Sequence, residues 1–351
     1  NLTNTDNKSE LFAKCIPILD PIHTIMNNYS MDSINILQPS NYIYNTLQKV
    51  NSLNNSCYID GFFSFISSEL YLKNKLPCFP IMYGSINGIS NNFKYDITDE
   101  YSDFLDEKWF HKNIGKRFNI DMYVSDSDSD DSLSVYNDDS ICNINKMPVQ
   151  YIFLEKLEGT LEDIEDKTNN VIKSCLFQII FGLSYLQKHF EFTHNDLHIN
   201  NIMYSKTDKL YLYYKYNNLY FKVPTHGYIF KIIDFGRSIF TFKNRVFNND
   251  SFSKYGEAEG QYNYPIPPVN SYKHNKYKVD IEPNYSFDMC RLASTLLSEL
   301  GKEIEVYDFL LKIMIDKDDI NMYENMTDDF DLYIQFAKKS CKGIPYELIH
   351  N

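Results

Sequence analysis

His194-Asn195-Asp196-Leu197-His198-Ile199-Asn200-Asn201, and further on Ile232-Ile233-Asp234-Phe235-Gly236, are the two stretches on which the reading of this chain turns. Upstream of the first, Ile172, Cys175, Leu176, Ile179, Leu183, Leu186 and Phe190 recur at helical spacing. Between the two, Leu210–Tyr214 and Leu219–Val223 flank Asn217-Asn218, the pattern of a hairpin whose turn residues take positive φ. Tyr228–Ile233 then reads as a strand, with Asp234 at its end and Gly236 allowing a sharp turn after it.

Two acidic residues and an amide, each beside a regular element, make a sparse set with a definite use. Transfer of a phosphoryl group from a nucleotide needs one carboxylate to orient or deprotonate the attacking hydroxyl. It also needs oxygen ligands that hold magnesium against the phosphates. Asp196 suits the first task. Asn201, in Asp-x-x-x-x-Asn spacing, and Asp234 suit the second.

Together these motifs resemble the catalytic loop and the metal-binding Asp-Phe-Gly of eukaryotic-type protein kinases. The resemblance implies an α+β, bilobal fold with a small β-rich N-lobe over 1–154 and a mainly helical C-lobe over 155–351. It implies ATP and magnesium as cofactors, Asp196 as base, His198 as a contact to the transferred phosphate, and Asn201 and Asp234 as magnesium ligands. Lys49, in Leu47-Gln48-Lys49-Val50, stands where the family carries its phosphate-binding strand lysine, although a solvated surface lysine reads equally well. Glu69 stands where the partner acid is expected, on an early helix marked by Ile59, Phe62, Phe63, Ile66 and Leu70. Leu154-Glu155-Lys156-Leu157 looks like the hinge, with the backbone of Glu155 and Leu157 facing adenine. Asp288 resembles the buried helix Asp that braces the catalytic loop, and Ser286 is placed to cap that helix.

Departures from the pattern narrow it. The first glycine is Gly61, so no Gly-rich loop precedes Lys49. Asn195 replaces the Arg usual beside the base, which removes the partner of a phosphorylated activation loop, and His198 replaces a Lys. The Asp-Leu-His triplet, the hairpin before Asp234 and the missing Ala-Pro-Glu resemble the atypical, haspin-like branch. Asn-Asp-Leu-His and Asp-Phe-Gly-Arg are also similar to stretches in kinase-like proteins of giant DNA viruses. The resemblance therefore implies a serine/threonine-directed protein kinase. A small-molecule phosphotransferase of the aminoglycoside or choline kinase type, and a pseudokinase scaffold, stay open beside it.

The rest of the chain sets bounds. Its 351 residues are 43% hydrophobic, enough for a substantial core, and the net charge is −13. So acidic a chain is poorly suited to nucleic acid, and steering favours basic protein substrates. Seven Cys without a CxxC pair, no apolar run of membrane-spanning length and no charged-then-apolar leader point to a soluble, intracellular protein, in host cytoplasm, nucleus or virion if the chain is viral. Residues 84–147 show no sustained period and read as an insertion. Their acidic centre, Ser125-Asp126-Ser127-Asp128-Ser129-Asp130-Asp131-Ser132, reads as a disordered, solvated loop.

Overall fold

The computed structural model describes residues 10–29, 44–123, 139–165, 167–253, 256–262, 283–324 and 329–349. In chain order it begins β1 (Leu11–Pro17), α1 (Pro21–Ile25), α2 (Tyr44–Asn51), α3 (Ser56–Leu72), β2 (Met82–Ser90) and β3 (Phe93–Asp96). Then come α4 (Tyr101–Leu105), α5 (Lys108–Asn113), β4 (Phe118–Tyr123), β5 (Asp139–Ile144), β6 (Met147–Glu155), β7 (Gly159–Thr160) and α6 (Asn169–Phe190). The remainder is β8 (Ile202–Lys206), β9 (Tyr211–Tyr216), β10 (Leu219–Pro224), β11 (Tyr228–Ile232), β12 (Phe240–Phe242), β13 (Arg245–Phe247), α7 (Phe287–Glu299), α8 (Tyr307–Ile313), α9 (Asp329–Lys339) and α10 (Pro345–Leu348). The architecture is α+β, built from small sheets. Among the described residues, no helix is long and apolar enough to cross a membrane.

The chain divides into two compact units. One comprises Ala13–Cys57 and Ser85–Ile152. Its sheet places β5 between β3 and β4, and Cys142 and Ile144 on β5 are buried with Ile25, Ile97, Phe110, Phe118, Met147 and Val149. The Phe110 and Phe118 rings lie 5.4 Å apart, and Asn113 Nδ2 donates to Ile25 O at 2.8 Å. Residues 84–147 therefore hold most of β2 together with β3, α4, α5, β4 and β5, where the sequence suggested an insertion without regular structure. Apart from β2, each of these elements is only four to six residues long, too short for a period to repeat. The acidic tract itself lies outside the described residues.

Lys49 belongs to the same unit, and its expected strand is a helix: it occupies the last turn of α2. Thr46 and Val50, one helical turn apart, turn inward. β1 carries a strand lysine, Lys14, in Leu11-Phe12-Ala13-Lys14-Cys15.

The other unit comprises Tyr58–Gly84, Phe153–Asn351 and the residues up to Phe12. Its core is organised by α6, whose Ile172, Cys175, Leu176, Ile179, Leu183 and Leu186 are all buried. Thr168 caps its start by accepting from Val171 N. The sheet β11–β8–β7 and the hairpin β9–β10 complete this core. Leu219 pairs with Tyr216 across the hairpin turn, where Asn217 takes φ 51°. α3 lays Phe62 and Phe63 against Phe240, at 5.9 and 4.8 Å between ring centres. α7 packs on α8 and α9. Ser286 does not cap α7 with its side chain: its backbone is already helical (φ −83°) and its buried hydroxyl finds no partner.

Candidate active site

The site-bearing loop hangs between two fixed points. At one, Thr193 and Ile239 exchange two backbone hydrogen bonds of 2.9 Å, tying the residues before Asp196 to those after Gly236. At the other, Asp288 in the first turn of α7 accepts from His194 N at 2.8 Å and from Asn195 N at 2.9 Å. Burial pushes the Asp288 carboxyl up from its ordinary range, and His194 with the two N–H bonds pulls back against it. His194 reaches the end of β11, its Nε2–H donating to Ile233 O at 2.9 Å. Since a carbonyl can only accept, the proton sits on Nε2, consistent with a buried Nδ1 that meets no donor.

Asn195, in place of the usual Arg, is wholly buried with φ 64°. Its Nδ2 donates to Arg237 O at 3.0 Å and its Oδ1 accepts from Tyr262 OH at 2.7 Å. The amide thus pins the loop to the segment after Asp-Phe-Gly by neutral hydrogen bonds, where an Arg would await an anion.

Asp196 is partly exposed, and its Oδ1 accepts from Tyr333 OH at 2.7 Å, with Arg237 Nη1 3.6 Å away. Burial, then the Asp196 charge, push the Tyr333 phenol up to about 12, so it remains a donor at any working pH. Asn201 Nδ2 donates to Asp196 O at 2.9 Å, which turns its amide oxygen away from that carbonyl. His198 Nδ1 accepts from Asn200 N at 3.3 Å, so the neutral ring carries its proton on Nε2, 3.1 Å from Asn201 Nδ2. Burial lowers the His198 pKa, against the pull of Asp196, and the ring is neutral at pH 7.

Asp234 sits at φ 64°, a left-handed conformation that Asp tolerates better than most residues. Phe235 holds it there: the ring is buried against Phe63 at 4.9 Å and Phe192 at 6.3 Å, pairs worth about 0.5–1.5 kcal/mol each beyond area burial. Phe235 N donates to Asp60 Oδ1 on α3 at 3.0 Å. Among the described residues no three His, Cys, Asp or Glu form a self-sufficient metal site. Asp234 and Asn201 could therefore hold magnesium only with phosphate oxygens and water completing its shell.

The remaining expected residues fall elsewhere. Glu69 does lie on α3, but it pairs with Lys73 one turn on, at 2.8 Å, on an exposed face. The acid of α3 that touches Asp-Phe-Gly is Asp60. Glu155 N bonds Ile81 O at 2.8 Å, and the Glu155 side chain accepts from Lys231 Nζ at 2.8 Å and from Ile81 N at 3.0 Å. Leu157 is half-buried just beyond β6. Lys231 had a legible signal, being a lone charge inside the apolar run Tyr228–Ile233 that demands a partner. Asp60 had one too, since it falls beside Ile59 and Phe63 on the buried stripe of α3. Nothing in the sequence marks Tyr333.

No protein-family model matches the chain. Over 209 residues, 58% of this chain, it is 26% identical to mouse serine/threonine-protein kinase haspin, of which the match covers 24%. It is 41% identical over 92 residues to a protein of Dictyostelium discoideum designated a probable serine/threonine-protein kinase, a match covering 23% of this chain and 8% of that protein. A protein of Acanthamoeba polyphaga mimivirus, also designated a serine/threonine-protein kinase, is 46% identical over 69 residues, covering 18% of this chain and 17% of its own length. The chain thus spans about a quarter or less of these relatives. It is similar to haspin-like serine/threonine kinases, with relatives among viruses.

Proposed function

We propose that this chain is an ATP- and magnesium-dependent protein kinase of bilobal, haspin-like architecture that phosphorylates serine or threonine hydroxyls of a protein substrate. The observation that carries the reading is the arrangement around Asp196. Asp196 lies on a loop braced by Asp288, its backbone carbonyl bonded by Asn201, whose amide oxygen would be left for a metal, and the loop is tied through His194 to Ile233, the residue before Asp234. ATP would supply the transferable phosphoryl group, and magnesium, held by Asn201 and Asp234, would neutralise its oxygens. Asp196 takes the proton of the acceptor hydroxyl as that oxygen attacks. His198, beside Asn201, would contact the transferred group. The rate then comes from positioning and electrostatics more than from covalent chemistry. Lys14, on a strand preceding the helix of Asp60, is a better candidate than Lys49 for the phosphate-binding lysine, because kinases carry that residue on a strand.

The deciding experiment measures magnesium-dependent phosphate transfer from ATP to a panel of proteins and small alcohols, in the wild type and in Asp196→Asn. Transfer to protein, reduced about 100-fold or more in the variant, is expected. Equal turnover in the two proteins would sink the assignment of Asp196, and transfer to small alcohols alone would replace the protein substrate.

A further inference from the structure

The hydroxyl on Asp196 comes from an element with no evident place in the chemistry. Tyr333 lies on α9, 137 residues away in sequence, and donates to Asp196 Oδ1 at 2.7 Å. Its oxygen also accepts from Arg291 Nε at 2.8 Å. Because the guanidinium can only donate, the phenolic hydrogen is committed to the carboxylate. The Tyr333 ring is flanked by two cations, Arg291 Cζ at 4.8 Å and Arg237 Cζ at 5.8 Å from its centre. Arg237 Nη1 faces the same carboxylate oxygen at 3.6 Å. Both of the contacts to Asp196 fall on Oδ1, and neither uses Oδ2.

From this geometry we propose that Tyr333 is a positioning residue for the base: it occupies Oδ1 and so turns Oδ2 toward the acceptor hydroxyl. The inference rests on the kinase reading of Asp196. The opposite role, a plug that must swing away before substrate can bind, fits the anchoring of α9 poorly. Leu332 and Phe336 of α9 are buried in the core. Asn284 Nδ2 donates to Phe336 O, Ala337 O and Ser340 O at 3.2, 3.3 and 2.9 Å. α7, the helix that braces the catalytic loop through Asp288, also supplies Arg291 to hold Tyr333. One rigid helix therefore sets both the loop and the hydroxyl that orients its carboxylate.

Tyr333→Phe tests this in the full chain, since the ring and its stacked guanidiniums remain and only the hydroxyl goes. The expected result is a kcat lowered about 10-fold or more, the range for one hydrogen bond to a charged group. KM for ATP and the thermal midpoint should stay near wild type. In an Asp196→Asn background the same change should cost nothing further, because there is no carboxylate left to orient. An unchanged kcat would show the hydroxyl idle, and a raised kcat would show it to be a plug. A loss of equal size in the Asp196→Asn background would make it a packing effect. Each of these three results overturns the proposal while leaving the kinase reading intact. A wild type without any magnesium-dependent turnover would overturn both.

Discussion

Lys231 and Glu155 form an ion pair whose two ends differ in their exposure to water. The lysine side chain is 2% exposed and the glutamate 23%. Lys231 keeps two other neighbours, Phe79 O at 3.2 Å and the face of Tyr71 at 4.4 Å, while Glu155 keeps Ile81 N–H and some water. Removing the carboxylate strands a buried ammonium, and removing the ammonium strands a partly hydrated carboxylate. Breaking a buried pair from its costly side takes about 3 kcal/mol or more, so Glu155→Ala should destabilise by that order and Lys231→Met by about 1 kcal/mol. Denaturant midpoints of the two variants check this, and equal losses would refute it. Burial also draws the Lys231 pKa below its ordinary value, with Glu155 opposing. The unfolded chain then binds more protons than the folded one, and stability rises with pH in the window below about 10. Glu155→Ala loses the opposing charge, so part of its deficit should return as the pH is raised toward that limit.

Among the elements, α6 and α3 show most clearly how packing overrides local preference. Gly182 in the middle of α6 looks like a defect, since alanine there should gain about 1 kcal/mol of helix propensity. A Cβ at Gly182, however, would stand 2.6 Å from Cys78 Sγ, and the Cys78 carbonyl receives Ile232 N of β11 at 2.9 Å. Overpacking at such a contact costs about 1–3 kcal/mol. Gly182→Ala is therefore expected to lower the thermal midpoint, and a raised midpoint would show that the contact relaxes freely. On α3, Asp60 and Glu69 are nine residues apart, about two and a half turns, and so lie on opposite faces. The helix and its apolar stripe were plain from the spacing of Ile59, Phe63 and Ile66. Glu69 lies on the face away from the apolar stripe, paired with Lys73, and Asp60 lies beside the stripe, bonded to Phe235 N.

Across the whole molecule, the cysteines report how the cores are closed. Cys57, Cys78, Cys142, Cys175 and Cys290 are buried free thiols, Cys15 is exposed and Cys341 is intermediate. Burial pushes Cys78 and Cys142 up to about 12 and raises Cys175 and Cys290 as well, so their thiolates are scarce at neutral pH. Native alkylation at pH 7.5 should modify Cys15 first and Cys341 more slowly, with the five buried thiols reacting only on unfolding. Peptide mapping reads the outcome, and rapid labelling of Cys78 or Cys175 would show that the core around α6 opens.

Asp196, Asn201 and Asp234 could be proposed from the sequence because the chemistry they suit is written in short spacings, within one loop and just past one strand. The amphipathic stripes of α3, α6 and α7 and the β9–β10 hairpin were legible for a similar reason, since each is a local period or a two-residue turn. Lys49 was expected on a strand and lies on a helix, because a polar stretch of eight residues has too little pattern to separate the two. The contacts that hold the candidate site lie beyond any local rule. Asp60 meets Phe235 across 175 residues, Tyr333 meets Asp196 across 137, Asp288 meets His194 across 94 and Lys231 meets Glu155 across 76. Residue type at short range names the atoms that could do the chemistry. Which side chain fills which oxygen of Asp196 depends on where α7 and α9 pack, and that is a property of the folded chain.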